Sequence, residues 1–450
     1  MRKWLRYTLA GAFGTVIGLG AGAQAAHAWS LTQAAAPYKG TTITVVGLDR
    51  PSYKAAEALT PEFEKETGIT VKWVNYPYED TLKAETLNFI SHSQQFDAIL
   101  SDVVWPVDFT RANWVVPVQH FLNDKALADP NIDLNDFFPV WLHGFTIGGK
   151  LVGLPFDSYA GLLYYNKAIL KAHGFSGPPT TWEQLLTVYA PKLYDPANHL
   201  YGYALQSARG ETQTADSFTR FLWPWGGRYF DLKTHKMTLD SKEAIAGLTF
   251  RQDLLKYMPA GIIADDHPEV VQLMGQGQVA MITEWSAFYP TLKASAIGKD
   301  LGVTVEPTGP DGRYSAFGGF AYMVSSQISP KDQNATWLFI QWLTSKEMSK
   351  PLIENGAVVA RISADTNPAL DAQYPYLQPM VQTWEHGSVP DWRPQIACYP
   401  YFSELVSDYG SGIEAGNYTV ANGLHVLNTK LQQYMDTSKC WVGANVPQGG

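Results

Sequence analysis

The sequence predicts an α/β protein built as two lobes. Three observations carry this. At 450 residues, the chain exceeds the roughly 250–300 residues at which a single hydrophobic core stops growing. Hydrophobic residues make up 46% of it and charged residues only 17%, which supplies a large core and argues against a disordered chain. Between Thr41 and Leu100, strand-like and helix-like stretches alternate, the pattern of a sheet flanked by helices.

The N-terminus comes first. Arg2, Lys3 and Arg6 give a positive start, an apolar run continues from Tyr7 to Gly22, and Ala26-His27-Ala28 offers a small-residue cleavage site before Trp29. Residues 1–28 are therefore expected to be a secretory signal peptide, and the glycine-rich stretch from Gly14 to Gly22 is its apolar region rather than a nucleotide loop. The run is short for a membrane span, no cysteine follows it to take a lipid, and no later stretch reaches transmembrane length. The mature chain is expected to be soluble. The formal net charge is −9, and cleavage would remove Arg2, Lys3 and Arg6, making the chain more acidic. That balance disfavours nucleic acid and anionic membrane surfaces as partners.

Residues 29–40, rich in alanine, read as an unstructured mature N-terminus. Thr41 to Gly47 is β-branched and predicts a strand. Lys54 to Thr67 predicts a helix, with Ala55, Leu59 and Phe63 at helical spacing and Gly68 as its stop. Ile69 to Val74 predicts a second strand, Thr81 to Ser91 a second helix, and Phe96 to Leu100 a third strand of nearly continuous apolar character. Further on, Leu151 to Pro155 and Leu162 to Tyr165 read as two strands, and Thr181 as the N-cap of a helix opening at Trp182. Lys242 to Tyr257 reads as a helix, Val279 to Thr283 and Ala321 to Ser325 as buried strands, and Pro330 to Met348 as one long helix with Leu338, Phe339 and Trp342 turned inward.

Motifs for chemistry are missing. There is no Gly-x-Ser-x-Gly elbow, phosphate loop, His-Glu-x-x-His or Cys-x-x-Cys. Asp129 to Asp136 has the spacing of a calcium loop but lacks its turn glycine and distal glutamate, so a solvated turn is the expectation. No catalytic residue, metal or cofactor is expected. Cys398 and Cys440 are the only cysteines; they are candidates for a disulfide in an oxidising compartment, the alternative being two buried thiols.

The aromatic load stands out, with 15 Trp and 24 Tyr. A sugar presents apolar C–H faces to a ring and a rim of hydroxyls to carboxylates, amides or guanidinium groups. Asp102 to Trp105, Phe156 to Tyr159, Thr283 to Trp285 and Trp392 to Pro394 combine those residue types. Trp182, Trp337 and Trp342 sit in helical periodicity and read as core. Trp223 and Trp225 either line a cleft or brace the loop ending at Gly226-Gly227.

Several stretches, in order, resemble the maltose-type, sugar-binding branch of the extracellular solute-binding proteins that serve bacterial ABC importers. They are Leu59 to Gly68, Phe96 to Leu100 with Asp102 and Trp105, Gly149 to Pro155, Leu163 to Lys167, Pro178 to Leu185, Gly309 to Arg313, Gly318-Gly319 and Ala335 to Ser345. The resemblance implies the two-lobe periplasmic-binding-protein architecture, each lobe an open, mostly parallel sheet flanked by helices, with a ligand cleft between them. It places residues 37–125 and 317–362 in an N-terminal lobe and 126–316 and 363–450 in a C-terminal lobe, joined by about three crossings. It implies a periplasmic monomer that captures a sugar or polyol and delivers it to membrane permease subunits. The same architecture binding an amino compound, polyamine or osmolyte is the alternative, and a periplasmic glycoside hydrolase a remote one.

By the same resemblance, ligand contacts cluster at strand ends facing the cleft. Asp102 is expected to accept ligand hydroxyls, Trp285 to stack on the ligand with Glu284 beside it, and Arg393 to donate to its oxygens. Asp157 and Tyr159 alternate on a strand and are both expected to face the cleft, as is Trp105. Gly318 and Gly319 allow close backbone approach. Phe320 stands where the family often has Trp, which keeps an apolar face and loses an indole donor. Asp49 and Tyr78, in the first two strand-to-helix loops, complete the set.

Overall fold

In the computed structural model, which describes residues 29–387 and 392–441, the chain winds into a sheet from its first elements. The expected signal peptide, residues 1–28, lies outside the described residues. Thr42–Leu48 (β1) pairs in parallel with Thr70–Tyr76 (β2), residue for residue. The connection is a helix, Pro51–Thr67 (α2), whose Pro51 suits a first turn and whose Gly68, at φ 70°, returns its N–H to Glu64. A second helix, Tyr78–Ser91 (α3), leads to Ala98–Asp102 (β3), buried throughout and parallel to β1. β3 starts two residues later than the apolar run suggests, and Asp102 forms its C-terminal end. The stretch before β1 is ordered: Leu31–Ala35 (α1) is capped by Ser30 and buries Leu31, Ala34 and Ala35 against α2. Its small apolar residues carry no periodic signal of their own, and packing on α2 orders them.

The two predicted strands around residue 158 are a single strand of 13 residues, Leu154–Asn166 (β4). The polar and aromatic residues that seemed to divide them are buried on both faces. Its first half pairs with Phe317–Ser325 (β7), which also pairs with β3. Its second half pairs with Met281–Trp285 (β5) and Leu301–Val305 (β6). β4 thus belongs to both sheets, leaving one at Ala160 and entering the other at Gly161. Neither sheet is mostly parallel: the first is mixed, with parallel pairing joining β1 to β2 and β3 and antiparallel pairing elsewhere, and β4, β5 and β6 of the second pair antiparallel. A chain that leaves a sheet along β4 and returns beside it along β7 must run the opposite way.

The long helix expected over 330–348 is two, Pro330–Leu343 and Lys346–Glu354. Ser345 between them accepts a hydrogen bond from the Met348 N–H and so caps the second helix. Trp182 and Trp337 are buried, and Trp342 packs on Phe63 and Phe339. Trp225 packs on Phe221 and Phe250, and Trp223 lies under Arg228 at 4.0 Å, so both brace the loop at Gly226. Asp136 is buried and accepts the Ser363 N–H and hydroxyl, while Asp133 pairs with Lys346. Among the described residues no cluster could hold a metal ion, and no helix is long and apolar enough to cross a membrane. Cys398 and Cys440 are joined by a disulfide, with Cα atoms 5.8 Å apart.

Candidate functional site

Where β4 passes between the sheets, the ends of the strands enclose a cavity of about 360 Å³. The first sheet and its helices contribute Arg50 from the loop after β1, Tyr78 and Glu79 from the first turn of α3, Asp102 from the end of β3, and Tyr159 and Phe320 from the paired strands β4 and β7. Asp102 is buried and accepts the Tyr78 hydroxyl at 2.8 Å. It also receives both Arg393 nitrogens, at 2.7 and 3.1 Å, in a bidentate pair. Arg393 Nη1 reaches on to Glu211 at 2.8 Å, which accepts the Tyr399 and Ser403 hydroxyls, each at 2.6 Å. Burial pushes the Glu211 carboxyl up, opposed by Arg393 and these hydroxyls.

The Tyr78 ring stacks on Trp105 at 5.5 Å and meets Phe320 edge-on at 6.1 Å. The Arg50 guanidinium lies over both Tyr78 and Phe320, 5.6 and 5.8 Å from the ring centres. Beneath it, Asp157 accepts the Ser52 hydroxyl at 2.6 Å and that of Tyr159. Burial pushes Asp157 up to about 6 despite those bonds and the nearby Arg50 charge. Gly318 and Gly319 are required by close approach. A Cβ on Gly318 would lie 3.0 Å from both Arg393 Nη2 and the Trp285 ring, and one on Gly319 only 2.4 Å from the Asp157 carbonyl oxygen.

The opposite wall comes from the second sheet and the helices around it. A π-helical turn, Gln213–Phe218, presents Asp216, whose Oδ1 accepts from Arg220 at 3.2 Å. Such turns are frequent at functional sites. Arg220 is itself buried and also pairs with Glu306 at 3.1 Å. His267 opens the helix His267–Gly275, fixed by a capping box between Asp266 and Glu269. Its Nδ1 bonds Glu284 at 2.9 Å, and its ring stacks on Phe288 at 5.4 Å. Burial works against a charged His267, but Glu284, Asp216 and Asp266 outweigh it and raise the imidazole to about 9. Trp285, at the end of β5, points its indole N–H at Asp216 Oδ2 across 3.4 Å.

Of the residues singled out from the sequence, Tyr78, Asp102, Tyr159, Trp285, Gly318, Gly319, Phe320 and Arg393 line the cavity. Four do not. Asp49 pairs with Lys54 at 2.7 Å, its side chain 73% exposed, and the loop turns its neighbour Arg50 inward instead. Trp105 stands behind Tyr78, Asp157 beneath Tyr159, and Glu284 behind His267; each supports a lining residue. Arg393 meets carboxylates of the protein itself. Sequence reasoning missed Arg50, Glu79, Glu211, Asp216, His267 and Phe288 on the wall. The Asp266-x-x-Glu269 capping pattern marks the start of the helix that carries His267, and is the one local signal among them.

Residues 49–350 match the family model of the bacterial extracellular solute-binding protein. A probable ABC transporter-binding protein of Deinococcus radiodurans is 28% identical over 64% of this chain and 67% of that protein. A probable amino-acid ABC transporter periplasmic-binding protein of Sinorhizobium fredii is 26% identical over 79% of this chain and 81% of that one. The crystal structure of an ABC transporter solute-binding protein of Agrobacterium radiobacter K84 in complex with ribitol superposes with a TM-score of 0.80, at 27% identity, over 88% of this chain and 99% of that one.

Proposed function

The chain belongs to the bacterial extracellular solute-binding family, and from that premise we propose that it captures a sugar or polyol between its lobes and presents it to the permease subunits of an ABC importer. The observation that carries the ligand class is the composition of the cavity wall. Tyr78, Tyr159, Trp285, Phe288 and Phe320 offer ring faces and edges to C–H groups, interleaved with Asp216, Arg50 and His267 for hydroxyls. The ribitol complex of the Agrobacterium radiobacter relative supports the same class.

On this reading the solute is bound and released unchanged, by a monomer exported through a signal peptide ending at Ala28. The lobes divide as 37–125 with 317–362 and 126–316 with 363–450, subject to two refinements. Leu31–Ala35 packs on α2, which supports adding it to the first lobe, and Leu154–Ala160 pairs with β7, which supports a first crossing at Ala160–Gly161.

A thermal-shift screen of residues 29–450 tests the proposal, using sugars, polyols, acidic sugars and amino compounds. A ligand present at about 1,000 times its dissociation constant adds roughly 4 kcal/mol to the native state. A rise in Tm confined to one carbohydrate group is the expected result. A rise only with amines or amino acids overturns the ligand class and keeps the family.

A further inference from the structure

The second wall contains a polar arrangement that the protein's own groups leave incomplete. His267 Nδ1 is anchored on Glu284, but Nε2 faces Asp216 Oδ2 across 3.6 Å, beyond hydrogen-bond length. Trp285 Nε1 reaches the same oxygen only at 3.4 Å, whereas Asp216 Oδ1 is engaged by Arg220. Asp216, His267 and Trp285 all line the cavity, and the Asp216 side chain is 2% exposed. A half-buried donor and a buried acceptor that far apart, at the edge of a cavity, leave a place beside them for a small polar group that bonds both.

The chemistry of the two atoms selects that group. An oxygen about 2.8 Å from each atom closes the triangle. It must donate to the carboxylate and accept from the imidazole N–H. A hydroxyl does both. An ammonium cannot accept from His267, a carboxylate is repelled by Asp216, and a carbonyl has no proton to give. With Glu284, Asp216 and Asp266 holding the ring charged, both of its nitrogens carry protons near neutral pH.

We propose that Asp216 and His267 form the seat of one hydroxyl of the bound solute, with Glu284 as the positioning residue that orients His267. The proposal rests on the hydroxyl-rich ligand class argued above and names the point on this chain where that class is read. It places recognition on the second lobe, away from the Asp102–Arg393 pair.

The test is calorimetric titration of the mature protein with ribitol, D-mannitol and the carbohydrate giving the largest thermal shift, followed by the monodeoxy forms of the tightest binder. Removing one particular hydroxyl should weaken binding roughly 10- to 100-fold, the penalty for leaving buried polar groups unpaired. Asp216→Asn and His267→Gln should weaken the parent compound similarly and should cost nothing further against that one deoxy compound, a coupling that a structural role does not produce. Glu284→Gln should give a smaller loss with the same selectivity.

The seat is overturned if the variants bind the parent compound normally, or if they lose affinity equally for every deoxy compound. Should a variant fail to fold by circular dichroism, the deoxy series on the unaltered protein decides: uniform affinities across it overturn the proposal. Binding of amines with no carbohydrate binding overturns the ligand class, and the seat with it. Carbohydrate binding without deoxy selectivity overturns the seat alone.

Discussion

The two walls of the cavity use their carboxylates in opposite ways. On the first, Asp102 takes three bonds of 2.7 to 3.1 Å from Tyr78 and Arg393. On the second, Asp216 keeps one oxygen whose neighbours stand at 3.4 and 3.6 Å. The difference teaches that a carboxylate in a cleft is not by itself a ligand contact. Asp102 is occupied in holding Arg393, and through it Glu211, across the junction. Asp216 has acceptor capacity left over. The first arrangement supports the shape of the site, and the second leaves room for a solute to complete it.

The largest effect should come from breaking the committed pair. Arg393→Ala leaves Asp102 and Glu211 buried without their cation, and denaturant unfolding should show a loss of about 3–5 kcal/mol. An unchanged midpoint would mean that the bridge holds nothing together.

A pH series sharpens the contrast from the other wall. The folded protein raises His267 to about 9 from an ordinary 6.5. The stability this confers is complete below the ordinary value and is lost as pH climbs through the folded one. The Tm difference between the unaltered protein and His267→Gln should therefore be widest near about pH 6 and close by about pH 10. A gap independent of pH would show that folding leaves the His267 pKa unshifted.

The smallest effect belongs to Asp49, whose exposed pair with Lys54 sits outside the cavity. Asp49→Ala should leave affinity unchanged by calorimetry; a clear loss would return Asp49 to the site.

Most of the first sheet was legible in the sequence, because β1, β2 and β3 and the helices between them have strong local patterns. The division of β4 into two strands failed for a physical reason. Periodicity reads polar residues as exposed, and Asp157 and Ser158 are buried within the sheet. The site was legible where family runs fall on strand ends, as at Asp102 and Gly318-Gly319, and where an aromatic residue adjoins a carboxylate, as at Trp285. It was illegible at Glu211 and Asp216, which lie in a stretch whose π-helical turn has no sequence signature. Asp49 and Arg50 show the finest limit, since neighbouring charged residues in one loop point opposite ways.

By itself, the sequence determined the family, the alternation of strands and helices, and the kinds of side chain available to a cleft. These follow from local periodicity and from ordered runs of residues. Only the tertiary structure decided which charges are spent on one another. Arg393 meets Asp102 across 291 positions of chain, and His267 stops 3.6 Å short of Asp216. Whether a buried group is paired or still open to a ligand depends on distances in space of a few tenths of an ångström, and no spacing along the chain encodes them.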